Sequence, residues 1–410
     1  MQQQRALVSF LGKVTQKNGG KYRTANYQFQ DGATLTGQAI VAPLVQWQRD
    51  QGKPVSRLVI AGTATSMWDS LTELDPCLEN EAGINLATAV QDQASLDAFA
   101  GWISEQLGLD VRLRIIGECR SAEEQVDLVR HLAEHVPDGA DIILDITHSF
   151  RHLPMLGLTA AHLLTHARAC NLEGVYYGML EATANGITPV VDLRGSLRLL
   201  EISEALATHS NTGRFAPLAE VLHDELPDLA QGAFYLDTAR PSQGLSYVNR
   251  SLNQLKTATD PLRQTLNPFL QRSLGWVKDS TLQHRLQLHQ AEALLRGGDL
   301  SSCSMLLLEA LTSAVVYQLH KTTPQPYEVR NALRKKLGDA LKARSDEDHY
   351  AFVDLNAIRN ALAHGTQPDE WARQARAALQ SEAKLKGFLQ STLAWAKGVV
   401  QDLEAGTLKL

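Results

Sequence analysis

Cysteine is scarce in this chain. Four residues in 410, Cys77, Cys119, Cys170 and Cys303, lie far apart and form no CxxC pair. That spacing predicts neither a zinc site nor a disulfide framework, and it fits a reducing cytoplasm. Long apolar runs are missing as well: none reaches 18 residues, so no membrane span is expected. The opening MQQQRALVSFLGK has no basic stretch followed by a long apolar one, and reads as the approach to a first strand rather than a secretory signal. Basic excess is absent too. With 39 Lys and Arg against 45 Asp and Glu, the net charge is -6, so broad coating of nucleic acid is not expected and any RNA contact must come from a local patch. There are no internal repeats, no low-complexity tail, no P-loop and no GxGxxG fingerprint. His148/His152 and His162/His166 have the i,i+4 spacing that can put two ligands on one helix face. Neither pair encloses the Glu of an HExxH arrangement, and no metal site is predicted.

What is present is a globular composition, 44% hydrophobic and 20% charged, over a length that calls for two or three domains. In the first 200 residues, short Val/Ile/Leu-rich runs alternate with helical stretches. The runs are Ala6–Phe10, Arg57–Ala61, Arg112–Ile116, Asp141–Ile146, Gly174–Gly178 and Thr188–Leu193. They are nearly continuous in apolar character, as a sheet covered on both faces requires. Ala94–Leu107 and Ser121–His135 read as helices, with Ser121 and Glu124 in a capping-box pattern. This alternation predicts a doubly wound, mostly parallel α/β domain over 1–200. Residues 201–280 read as a mainly helical connector. From 281 to 410 the pattern is all-helical, through Gln283–Leu295, Leu300–His320, Pro326–Arg344, Glu347–Ala363 and Pro368–Ala405. The fold class is therefore α/β plus all-α.

The segment Phe352–Gly365 (FVDLNAIRNALAHG) carries the most chemistry in the C-terminal part. At about 100° per residue, Leu355, Ile358 and Leu362 form an apolar stripe that should face the core. Asn356, Asn360 and His364 form a polar stripe, Arg359 flanks it, and Gly365 is a natural helix stop. An imidazole, an amide and a guanidinium so grouped suit phosphodiester cleavage in RNA, where the ribose 2′-hydroxyl is a built-in nucleophile. Arg359 offers a fork of donors to phosphate oxygens, His364 can move a proton, and Asn360 can hold the imidazole or the phosphate. One imidazole is thin for full acid–base catalysis, and a symmetric dimer would supply a second. The bland alternative is that the helix dipole alone favours a terminal His, while Arg and Asn on a helix surface are ordinary. Residues 328–344 hold six Lys/Arg, among them Arg330, Arg334, Lys335 and Lys336, against two acids. They suit RNA phosphates or a solvated helix face equally.

In open α/β sheets ligands bind beyond the carboxyl ends of the strands. Three such ends stand out: Ser9-Phe10-Leu11-Gly12-Lys13, then Gly62-Thr63-Ala64-Thr65-Ser66-Met67-Trp68, then Thr147-His148-Ser149-Phe150-Arg151-His152. Each mixes hydroxyls, glycine or a cation with an aromatic, a composition that can hold phosphates and bases. Arg151 and His152 can equally serve as capping residues.

Arg359-Asn360-Ala361-Leu362-Ala363-His364 resembles the R-X4-6-H motif of HEPN ribonucleases, in which a polar residue usually follows the Arg. LVSFLGK, the GT…SMWD run ending at Asp69, DITHSFRHLP and Tyr22–Phe29 resemble the CARF domains of CRISPR-associated Csx-type proteins. Members of that group commonly have Gly where Ser149 stands, and often Lys where Ala64 stands. The resemblance implies a type III CRISPR ancillary nuclease of antiviral defence. A CARF dimer would bind a cyclic oligoadenylate, commonly cyclic tetra-adenylate, through Ser9, Leu11, Gly12, Lys13, Gly62, Thr63, Ser66, Thr147, His148, Ser149, Phe150 and Arg151. Paired HEPN domains would then cut single-stranded RNA without metal, using Arg359, Asn360 and His364. The implied protein is a homodimer or higher homo-oligomer, cytoplasmic and not membrane-bound. Two other readings stay open: a non-catalytic cyclic-nucleotide sensor, and a ring nuclease acting through the CARF domain.

Overall fold

In a computed structural model of the chain, residues 4–12, 24–321 and 325–410 are described. The chain divides into two compact units, Met1–Leu199 and Leu200–Leu410.

The first unit is built on an eight-stranded sheet. Its strands are β1 (Arg5–Leu11), β2 (Ala25–Gln28), β3 (Thr34–Gly37), β4 (Arg57–Gly62), β5 (Asp110–Ile115), β6 (Asp141–Asp145), β7 (Asn171–Gly178) and β8 (Ile187–Asp192), in the order β3-β2-β8-β7-β6-β1-β4-β5. Pairing is parallel except between β2 and β3 and between β7 and β8. All six expected strands are present, and the α/β plus all-α class holds. The hairpin β2–β3 was not expected. Its strands are four residues each, with only Ala25 and Tyr27 of β2 turned inward, too short for period-2 alternation to register.

Alternation along β1 shows how the sheet is covered. Leu7 and Leu11 join a core with Leu58, Ile60 and Phe99, while Ala6, Val8 and Phe10 join another with Ile142, Leu144 and Leu164. The first core is completed by α1 (Val41–Asp50), α2 (Glu81–Thr88) and α3 (Gln93–Leu107), the second by α4 (Ala122–His135) and α5 (Leu153–Ala167). Ser121 caps α4 by accepting from Glu124 N at 3.2 Å. The Glu124 carboxylate reaches back to Arg120 N, one residue earlier than a capping box would place it. α5 passes so close to β1 that a Cβ on Gly157 would meet the Phe10 ring at 2.5 Å.

The second unit is all-helical. After α6 (Arg194–Thr212) come α7 (Ala216–Val221), α8 (Pro227–Asp237), α9 (Pro241–Thr257) and α10 (Pro261–Leu274), then α11 (Gln283–Arg296), α12 (Leu300–His320), α13 (Tyr327–Arg344), α14 (Asp346–His364), α15 (Arg373–Ala378) and α16 (Glu382–Ala405). Residues 202–277 share a core of their own, including Leu218, Leu229, Leu252 and Leu270, and a second core gathers around α12. Among the described residues α12 is the helix long and apolar enough to cross a membrane, and most of it is buried as a core helix. The single helix expected over Pro368–Ala405 is two helices. Ser381 caps α16 by accepting from Lys384 N, so the chain breaks after α15.

His131 of α4 lies in the interior with its Nε2 unpartnered, its ring edge-on to His135 at 4.4 Å. Burial, aided by His135 and Arg114, depresses its pKa to about 3 from an ordinary 6.5. A depressed folded pKa gives stability that is complete above pH 6.5 and is lost as pH falls toward 3. The loss is on the order of 1.4 kcal/mol per pH unit across that window. His131→Leu is expected to flatten this acid limb in urea denaturation followed from pH 7.5 to pH 4.

Candidate functional site

The α/β unit gathers the loops after β1, β4 and β6 at one edge. Ser66 Oγ donates to Leu11 O at 2.7 Å and accepts from Thr63 N at 2.9 Å, and Met67 N donates to Gly12 O. These bonds tie the second loop to the first. The third loop is set by Asp145 at the end of β6, which is fully buried. It accepts from Ser9 Oγ at 2.5 Å and from Thr147 N at 2.9 Å. Thr147 Oγ1 in turn accepts from Gly178 N at 2.8 Å, which adds β7 to the brace. Burial raises the Asp145 carboxyl above the usual carboxylate range and depresses the His148 imidazole beside it, each opposed by the other's charge.

These loops enclose a cleft of about 630 Å³. Of the residues expected to bind ligand, Leu11, Gly12, Thr63, Thr147, His148, Ser149 and Phe150 line it. Ser9, Gly62 and Ser66 do not. Ser9 and Ser66 are buried behind the wall with their hydroxyls spent on the brace, and Gly62 packs against Ser66 and Trp68. His148 is itself mostly buried, so it is part of the wall's support more than a free contact. Arg151 is exposed outside the lining, and Lys13 lies outside the described residues. The loop after β5 also contributes, through Ile116, Gly117 and Glu118. Sequence reasoning missed it although it too follows a strand end. His152 Nε2 lies 2.7 Å from Glu118 O, which joins that loop to the start of α5.

Gly12 and Ser149 touch across the cleft floor. A Cβ on Gly12 would fall 2.8 Å from Ser149 N. Ser149 has φ +113°, a conformation that favours glycine.

In the helical unit, α14 presents its motif as its periodicity requires. Leu355 and Ile358 are fully buried and Leu362 is half-buried. Arg359 Nη1 donates to Asn360 Oδ1 at 2.8 Å, which aligns the two side chains. Asn360 and His364 are exposed, and Gly365 ends the helix at φ +65°. Asn356, by contrast, turns its amide back to Phe352 O. Arg330 and Arg334 are drawn inward. Both bond the Glu309 carboxylate, at 2.5 and 2.7 Å, and they also reach Ser313 and Thr312. Lys335 and Lys336 remain exposed. Arg359 is half-buried and lines a cleft of about 180 Å³, and Arg330 lines a second of about 470 Å³. Neither cleft was anticipated, because its residues come from helices and loops spread between Arg214 and Arg359.

Fold and site thus define a two-part protein: an α/β unit with a cleft at its strand ends, and a helical unit displaying an Arg-Asn-His face. No family model matches the chain. The chain is similar to a CRISPR-associated protein of Methanocaldococcus jannaschii, 23% identical over an alignment of 381 residues that covers 84% of this chain and 59% of that protein. It therefore spans less than two thirds of that relative's length.

The Gly12–Ser149 contact gives opposite expectations for two small changes. Ser149→Gly relieves an unfavourable φ, and the chain is expected to gain about 1 kcal/mol. Gly12→Ala drives a methyl into Ser149 N and is expected to cost about 1–3 kcal/mol. Chemical denaturation of the full chain measures both; a loss of stability in Ser149→Gly would contradict the strain argument.

Proposed function

We propose that this protein has a CRISPR-related role in antiviral defence, as a metal-independent endoribonuclease switched on by a cyclic oligoadenylate. The observation that carries the reading is the joint presence, in one chain, of the Arg359-Asn360-His364 face on α14, with Asn360 and His364 exposed, and the three-loop cleft at the strand ends. Likeness to a CRISPR-associated protein over most of the chain supports it. In this reading the first unit is a CARF domain and the helical end of the second unit a HEPN domain.

The chemistry follows from the residues. The 2′-hydroxyl of the RNA attacks its own adjacent phosphate, and the 5′ oxygen leaves. Arg359 stabilises the charge that builds on the phosphorane oxygens, with its fork already oriented by Asn360. His364, exposed at the helix end, delivers a proton to the leaving oxygen. Two such helices in a homodimer supply the second imidazole. On α5, Met155 and Leu163 are exposed at helical spacing, with exposed Phe150 just before the helix, an apolar stripe suited to pairing with a second copy.

The cleft residues suit a cyclic nucleotide such as cyclic tetra-adenylate. Thr63, Ser149 and backbone groups near the start of α5 face the cavity, and Phe150 is a partly exposed ring for base contact. Two copies would double every contact. Moving a two-state switch from mostly off to mostly on takes about 5.5 kcal/mol of differential binding, within reach of several doubled charge-assisted bonds.

RNA cleavage assayed with and without each cyclic oligoadenylate tests the reading. Cleavage should depend on one ring size, survive EDTA and leave 2′,3′-cyclic phosphate ends. His364→Ala should lower it by roughly 10²–10⁴-fold with the fold intact. Intact RNA in the presence of every ring would refute nuclease function. Linear products from labelled ring in the His364→Ala protein would instead mark the first unit as a ring nuclease.

A further inference from the structure

The two clefts of the helical unit share Ala239 and Glu309 in their walls, so they are parts of one groove beside α12. We propose that this groove is the track for single-stranded RNA, with one nucleobase in the smaller cleft beside Arg359 and the neighbouring phosphate held by Arg240 and Arg330 in the larger. The assignment rests on the ribonuclease reading of Arg359 and His364, and it names the substrate subsites that reading leaves open.

Charge places the phosphate. Arg240 is exposed and makes no ion pair among the described residues. Arg330 is anchored through Nη2 to Glu309 and Ser313, which leaves the rest of its donor fork for a ligand. The single carboxylate here, Glu309, is already matched by both Arg330 and Arg334. Arg240 therefore adds uncompensated positive charge to a cleft whose remaining lining is hydroxyls and amides, among them Ser242, Gln243 and Ser313. Such a site takes a phosphodiester well.

Shape and polarity place the base. The smaller cleft has an apolar floor of Leu236, Leu294 and Leu306 and a partly exposed, polarisable Met305. Its edge is acceptor-rich. Asp237 is exposed at the rim, with one carboxylate oxygen accepting from Ala216 N. Arg214, by contrast, is spent on Asp299. A flat ring with amino donors fits such a slot better than uracil, whose edge offers two carbonyls. The wall is prebuilt: the buried amides of Gln287 and Gln290 donate to Ala239 O and Leu236 O and pin the end of α8 in place. Sites held by buried supports of this kind bind without reorganising.

The test uses full-length His364→Ala protein, which should bind RNA without cutting it, and labelled oligoadenylate or oligouridylate followed by fluorescence anisotropy over a salt series. Adding Arg240→Ala should weaken binding about tenfold and lower the salt slope by about 0.7, the share of one phosphate on a single strand. Adding Asp237→Asn should shrink the preference for adenine over uracil. Arg240 has no structural partner to lose, so an unchanged thermal midpoint and unchanged binding of cyclic oligoadenylate are expected alongside. If the parent binds RNA but both variants match it in affinity, slope and preference, the groove assignment falls while the nuclease reading stands. If the parent binds no RNA at all, and wild-type protein cuts none, both fall together.

Discussion

A buried carboxylate organises the α/β unit. Asp145 has no access to water, so its oxygens must find donors inside the protein or incur a desolvation penalty of several kcal/mol. The donors it finds belong to different pieces of chain: the Ser9 hydroxyl of β1 and the Thr147 backbone of the following loop. Through Thr147 Oγ1 the same brace reaches Gly178 of β7. Satisfying one carboxylate therefore sets where three strands end, and it turns the 147–150 loop so that Ser149 meets Gly12. The cleft exists because of that turn. Its polar lining is what remains after Ser9, Ser66 and Thr147 have spent hydrogen bonds on holding the loops together.

Glu309 has the matching place in the helical unit. Two guanidiniums of α13 converge on it from one side, bonding α13 to α12 through both carboxylate oxygens. Two basic residues of α13 are thereby turned inward, and its exposed positive charge unpaired among the described residues falls to Lys335, Lys336 and Lys342, with Arg344 paired to Asp348 and Asp402. Arg359 on α14 stays outside this network and orients against Asn360 alone. A guanidinium with one weak neutral partner keeps most of its donors available; Arg334 is tied through Nε and Nη2, and Arg330 through Nη2 alone.

Much of this was legible beforehand, for identifiable reasons. Val/Ile/Leu runs in β1, β4 and β6 are covered on both faces, so their signal needs no alternation to be seen. The α14 stripe was legible because a helix repeats its geometry, and Gly365 takes the left-handed turn that stops it. The β2–β3 hairpin and the break before α16 escaped, one for shortness and the other because Ser381 interrupts a continuous helical pattern with a single cap. Among the candidate site residues, those in the loops were identifiable as a set, yet nothing local to the sequence separates Thr63, which lines the cleft, from Ser66 three residues on, which braces it.

What the sequence by itself determined is the order of elements, the two kinds of architecture and the face that His364 and Asn360 share, because each depends on periodicity or capping within one segment. What only the tertiary structure decided is which polar groups are spent. Ser9 and Arg334 look available in sequence and are committed, and Arg330 is anchored at one nitrogen, because their partners Asp145 and Glu309 lie on other elements. Arg240 and Asp237 carry no motif and stand open in a groove, because a groove is made by helices from distant parts of the chain.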